Sequence, residues 1–163
     1  MKNCSWLFFI AIGLTACSQS PQNDKILQAK VDSLEKKLND VYKPGLGEFM
    51  SSIQVHHAKL WFAGRSNNWK LADFEIHEIM EAVDDIKQYA ADREEVKVLP
   101  MLLPALDSID NAIEKKDKPL FEKQYTVLTN TCNSCHTTVH YEFNKVKIPD
   151  SPPLSNQVFE VKP

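Results

Sequence analysis

Three observations predict an all-α chain. Apolar residues recur at helical spacing in five separate stretches, only four glycines are spread over 163 residues, and no alternating strand pattern competes. Four of the stretches lie within residues 45–143, joined by short links, and they predict an antiparallel four-helix bundle. An extra N-terminal stalk helix precedes it, and an extended proline-rich C-terminal tail follows over 144–163.

Residues 1–16 carry Lys2, an apolar run from Trp6 to Leu14, and a small-residue exit into Cys17. That order is expected of an export signal peptide, and the run is too short to span a bilayer. The ending Leu14-Thr15-Ala16-Cys17 resembles a bacterial lipobox. The resemblance implies cleavage before Cys17, lipidation of its sulfur and attachment to a membrane. Residues 17–44 are then a polar spacer and a stalk, in which Leu27, Val31, Leu34, Leu38 and Val41 recur at steps of four and three. This is a pattern of two heptads, which is marginal as an isolated helix. A stalk lifting the domain off the membrane is expected ahead of the alternative, a homodimer zipper. Pro44 and Gly45 stop it.

The first domain helix is expected over 46–63, with Leu46, Met50, Ile53, His57 and Leu60 inward, Trp61 beside them and His56 outward. Gly64 is expected as its C-terminal cap, and Asn67 or Asn68 as the N-cap of the next helix. That helix, over 69–89, turns Ala72, Ile76, Ile79, Val83, Ile86 and Ala90 inward. Asp73, Glu75, Glu78, Glu81, Asp84 and Asp85 form an acidic face expected to be solvated. Residues 91–100 read as irregular. A third helix follows over 101–116, lined by Leu102, Leu106, Ile109 and Ile113. Asp117 caps a fourth, and Pro119 suits its first turn. The stripe of this last helix is Phe121, Tyr125, Leu128, Cys132, Cys135 and Val139.

Cys132-Asn133-Ser134-Cys135-His136 is a Cys-x-x-Cys-His motif, the attachment signature of a c-type haem. Two thiols add across the porphyrin vinyl groups, and the adjoining histidine offers an axial nitrogen. Both cysteines continue the apolar stripe, so the haem is expected to face the interior. The cysteine arithmetic agrees: Cys4 leaves with the leader, Cys17 takes lipid, and none is left over. A thioredoxin-like dithiol needs a βαβ setting, and a zinc site needs two further ligands at suitable spacing. Neither is visible. The formal net charge of -3 offers no basic patch for nucleic acid. There is no nucleophile–base pair or phosphate loop, so an electron carrier is expected rather than an enzyme.

No methionine follows Met101, and His140 lies one turn beyond His136 on the same helix, so a sixth iron ligand must come from upstream. With its motif late in the chain and its helices numbering four, the segment 45–143 resembles the class II cytochromes c, the family of cytochrome c-prime and its low-spin relatives. The run His57-Ala58-Lys59-Leu60-Trp61-Phe62-Ala63-Gly64, followed by Asn68-Trp69-Lys70-Leu71-Ala72, also looks like a group of bacterial haem lipoproteins of that kind. The resemblance implies haem c on Cys132 and Cys135, His136 as proximal ligand, and a distal side facing the early first helix. Low-spin members place a methionine there. Met50 is the candidate distal ligand and His57 the runner-up, with a hydrogen-bonded core histidine as the plainer account of His57. Trp61, Trp69, Phe121 and Tyr125 are expected as core, with contact to the porphyrin as the alternative, and Gln54 and Lys59 are within consideration for a propionate.

These readings lead to an expected function: a lipid-anchored monohaem electron carrier in the bacterial cell envelope, facing the periplasm and exchanging electrons with a partner protein. The acidic second domain helix would guide a basic partner. Two alternatives stand beside it: a five-coordinate haem protein binding NO or CO, and a structural lipoprotein with a Cys132–Cys135 disulfide and no haem.

Overall fold

A computed structural model describes residues 21–39, 41 and 44–161. The leader and Cys17, and with them the lipid anchor, lie outside the described residues. Among the described residues the chain is all helix and no strand: α1 (Pro21–Asn39), α2 (Leu46–Arg65), α3 (Trp69–Tyr89), a 3-10 helix (Glu94–Met101), α4 (Leu103–Glu114) and α5 (Lys118–Thr138). No described helix is long and apolar enough to cross a membrane. The chain divides into two compact units, Met1–Tyr42 and Lys43–Pro163.

In the first unit α1 carries the expected stripe, and that stripe is open to solvent. The second unit holds the core. There α2 touches α3 and α5, and α4 touches the same two helices. Ala72, Ile76, Ile79, Val83 and Ile86 of α3 meet Leu106, Ile109 and Ile113 of α4, Leu60 and Ala63 of α2, and Phe121, Tyr125 and Leu128 of α5 in one buried cluster. These are the apolar positions that recur at helical spacing, so burial follows the sequence pattern closely.

The helix ends depart from the sequence expectation. Gly64 is no cap: it lies inside α2, which runs on to Arg65. Its role is close approach, because a Cβ at Gly64 would fall inside the Phe121 ring. The stops are made instead by Asn67, Lys116 and His140, each at positive φ (57°, 53° and 64°). At each one the next amide reaches back to a carbonyl five residues earlier: Asn68 N to Ala63 O at 2.9 Å, Asp117 N to Ala112 O at 3.1 Å, Tyr141 N to His136 O at 2.7 Å. This is the Schellman stop, usually made with glycine, here made without it. Asn68 and Asp117 cap α3 and α5 as expected, accepting from Leu71 N at 3.3 Å and Leu120 N at 3.0 Å.

Two further expectations are corrected. Residues 94–101 form a 3-10 helix rather than an irregular link. It buries Leu99, and its i,i+3 geometry sets Lys97 beside Glu94 at 2.7 Å. Glu75 does not belong to the solvated acidic face: it is fully buried, its carboxylate 2.6 Å from His56 Nδ1 and 2.5 Å from Lys59 Nζ. His56 is therefore partly buried and paired rather than outward and free. A buried carboxylate needs such partners, since unpaired it would cost several kcal/mol.

The tail is extended and folds back on the second unit. Phe159 is buried against Phe62 at 5.6 Å, and its carbonyl accepts from Asn68 Nδ2 at 3.1 Å. One Asn68 side chain thus caps α3 and holds the end of the tail.

Glycine and non-glycine should respond in opposite senses here. Gly64→Ala, ordinarily a gain in a helix, is expected to cost ~1–3 kcal/mol by overpacking against Phe121. Lys116→Gly relieves a left-handed residue and is expected to gain up to ~1 kcal/mol. Urea midpoints of the two variants against the unaltered chain check both signs.

Candidate functional site

The motif residues lie on the last two turns of α5. This end of α5 continues the face that buries Phe121, Tyr125 and Leu128, which is why Cys135 is buried and Cys132 partly so. Neither is bonded in a disulfide. Burial pushes the Cys132 thiol up to about 12, with Cys135 adding to the shift, and burial raises Cys135 as well. Both therefore stay protonated thiols at neutral pH.

Two adjoining cavities open beside them, of about 160 and 420 Å³. Gly47 and Met50 from α2, Cys135 and His136 from α5, and Asn144 from the tail line both. The smaller adds Ile53, Gln54, His57 and Cys132, and the larger adds Arg93 and Glu95. The larger cavity alone is of the size that holds small molecules and cofactors, roughly 300–1,000 Å³. The structure thus brings Met50 to the same cavities as both cysteines and His136.

His136 is oriented by the chain that follows it. The left-handed turn at His140 reverses the backbone, and the Asn144 carbonyl arrives 2.6 Å from His136 Nδ1. A carbonyl only accepts, so Nδ1 carries a hydrogen, and in the neutral ring the lone pair lies on Nε2. That is how a metal-binding histidine is ordinarily held. Asn133, between the two cysteines, fastens the same segment: its Oδ1 accepts from Val146 N and its Nδ2 donates to Val146 O, both at 2.8 Å.

His57 lies at the inner wall of the smaller cavity with both nitrogens engaged. Thr129 Oγ1 spends its hydrogen on Tyr125 O at 2.9 Å, so it accepts from His57 Nε2 at 2.9 Å. The Tyr125 hydroxyl, 2.9 Å from the unprotonated Nδ1 and 2.8 Å from the His57 carbonyl, shares its one hydrogen between these two acceptors. Burial lowers the His57 pKa to about 4, so the ring is neutral.

Among the other residues considered, Trp61, Trp69, Phe121 and Tyr125 form an aromatic cluster in the core, with Trp61 4.8 Å from Tyr125 and Trp69 edge-on to Phe121 at 6.1 Å. None of the four lines either cavity. Gln54 lines the smaller one, and Lys59 is committed to Glu75. Sequence reasoning missed Asn133, Asn144 and Arg93. Asn133 stands inside the motif, and an asparagine beside a chain reversal is a local signal for clasping backbone. Asn144 acts through its carbonyl, which any residue has, and left no signal at all.

The residues fit a covalently held haem: two thiols, an imidazole whose Nε2 is kept free, and a thioether on the same cavities. A separate cluster on α3 and α4, Asp73, His77 and Asp110, holds its candidate ligand atoms within 4.8 Å of one another. His77 donates from Nδ1 to the Asp73 carbonyl at 2.8 Å, and this bond, ahead of the nearby carboxylates, raises its pKa. No family model, curated protein or solved structure matches the chain.

The buried histidine makes stability depend on pH. Unfolded, His57 takes a proton near 6.5; folded, only near 4. Between those values the unfolded state holds more protons, so stability present above pH 6.5 is lost as pH falls toward 4. The expected loss from this group is about 3 kcal/mol. His57→Gln lacks it, so the gap in urea midpoint between the chain and this variant should narrow from pH 7 to pH 4. A constant gap would contradict the neutral buried ring.

Proposed function

We propose that this chain is a monohaem c-type cytochrome of the class II kind. On this reading it is a lipid-anchored electron carrier, not an enzyme, on the periplasmic side of the bacterial cell envelope, and α2–α5 form an antiparallel four-helix bundle. The observation that carries the reading is the Cys-x-x-Cys-His motif turned onto cavities that Met50 shares, with His136 Nδ1 bound to a carbonyl. Support for the bundle comes from paired contacts along α2 and α5: Gly64 meets Phe121, His57 meets Tyr125 and Thr129, and Met50 shares a cavity with Cys135.

Cys132 and Cys135 would hold the porphyrin through thioethers. His136 Nε2 and the Met50 sulfur would hold the iron; His57 already serves the core through both nitrogens. Bound haem supplies a one-electron Fe(II)/Fe(III) couple whose potential follows its axial ligands and burial. Arg93, paired with Glu95 at 2.6 Å, is the one lysine or arginine among the described residues that line the larger cavity and would face the propionates. Leu46, Ile53, Leu99 and Val139 give the cavities apolar walls. Tyr141 lines the larger cavity, and the exposed Phe143 ring lies 5.5 Å from it, giving a partner an apolar foothold beside the site. The acidic residues of α3 other than Glu75 would steer a basic partner, more strongly at low salt.

Haem staining of a denaturing gel is expected to mark the chain, and Cys132→Ala/Cys135→Ala to abolish the stain. The reduced protein should show sharp low-spin α and β bands that Met50→Ala converts to one broad high-spin band with new CO binding. A broad band in the unaltered protein, indifferent to Met50→Ala, would favour gas binding over electron transfer. No stain at all would leave the structural lipoprotein.

A further inference from the structure

The two cavities beside the motif, the buried Glu75 pair and the core belong to the second unit. Within the first unit, among the described residues, the seam of α1 has no partner. Leu27, Leu34 and Leu38 are 59, 63 and 66% exposed, and Val31 and Val41 are exposed as well. A continuous apolar seam on a helix of 19 residues is costly to leave in water. Two heptads are also too few to hold a helix without packing.

The heptad register says what fits the seam. Within α1, Asp24, Val31 and Leu38 take the a positions and Leu27 and Leu34 the d positions, with Val41 beyond the helix end at Asn39. The β-branched Val31 at a with leucine at both d positions favours two strands. Lys30 and Lys37 fall at g and Glu35 at e. In a parallel pair, a g residue faces the e residue five positions on in the other chain, so Lys30 meets Glu35 of the second copy, twice by symmetry. In an antiparallel pair g faces g, and Lys30 and Lys37 would meet like charges. The b, c and f positions carry Gln22, Lys25, Asp32, Ser33 and Lys36, a polar outer face interrupted by Ile26 and Ala29.

We propose that α1 is a dimerisation element, in which the seam of one copy closes on the same seam of a second copy of this chain as a parallel, in-register coiled coil. The pairing rests on α1 alone and is independent of the haem reading. Its shortness makes it weak in dilute solution and favours it wherever copies are concentrated on one surface.

Cysteine cross-linking tests it on the full chain, in membranes of the cells that produce it, with the unaltered chain as background. Val31→Cys, at a seam position, should oxidise to a disulfide dimer severalfold faster than Ser33→Cys on the outer face. Adding Glu35→Lys to Val31→Cys should lower the yield, and Lys30→Glu with Glu35→Lys should restore it. Unchanged helical circular dichroism of each variant excludes loss of the fold. Equal yields at 31 and 33, a product of another mass, no dimer, or a yield indifferent to Glu35→Lys overturns the proposal.

Discussion

The polar link from His57 to Tyr125 and Thr129 is the constraint on which the second unit depends. It is a hydrogen-bonded island inside an apolar core, in which the Tyr125 hydroxyl shares one hydrogen between His57 Nδ1 and the His57 carbonyl. A slip of α2 against α5 would leave several buried polar groups unpaired, each costing about 1–3 kcal/mol. The link therefore sets register as well as contact. On one side of it Phe121 packs into the space left by Gly64. On the other the same two helices diverge around the cavities that carry Met50, Cys132, Cys135 and His136.

That border explains how one helix serves two purposes. Along the inward face of α5 the residues before Thr129 (Phe121, Tyr125 and Leu128) are large and fill space. Those after it on that face, Cys132 and Cys135, are small and leave space. The cavities are thus a consequence of a change in side-chain size along one face. The chain beyond α5 completes the site: the turn at His140 and the clasp of Asn133 on Val146 bring the Asn144 carbonyl to His136. On the proposed function this carbonyl orients the proximal ligand, so a tail segment without regular structure contributes directly to the iron site.

The two units place their apolar residues differently. In the second, each apolar stripe finds another within the same unit, and even an acidic residue, Glu75, is drawn inward because His56 and Lys59 on α2 pair with it. In the first, a single helix has no companion element among the described residues. Its stripe is regular enough to have a register, and its charges distinguish parallel from antiparallel pairing.

Much was legible in the residues alone. Helical periodicity defined α2 through α5 and their buried faces, because burial is the main thing that periodicity records. The Cys-x-x-Cys-His spacing carries the proposed haem chemistry, and its phase with Phe121, Tyr125 and Leu128 turned the motif inward. The capping roles of Asn68 and Asp117 were readable too, since a cap is made within a few residues. What only the tertiary structure decided are pairings between distant segments: Gly64 with Phe121 instead of a helix end, Glu75 with Lys59 and His56 instead of solvent, both nitrogens of His57 committed to Tyr125 and Thr129, and the Asn144 carbonyl on His136. Each depends on which atoms meet across helices, and a one-dimensional pattern of polar and apolar residues carries no record of that.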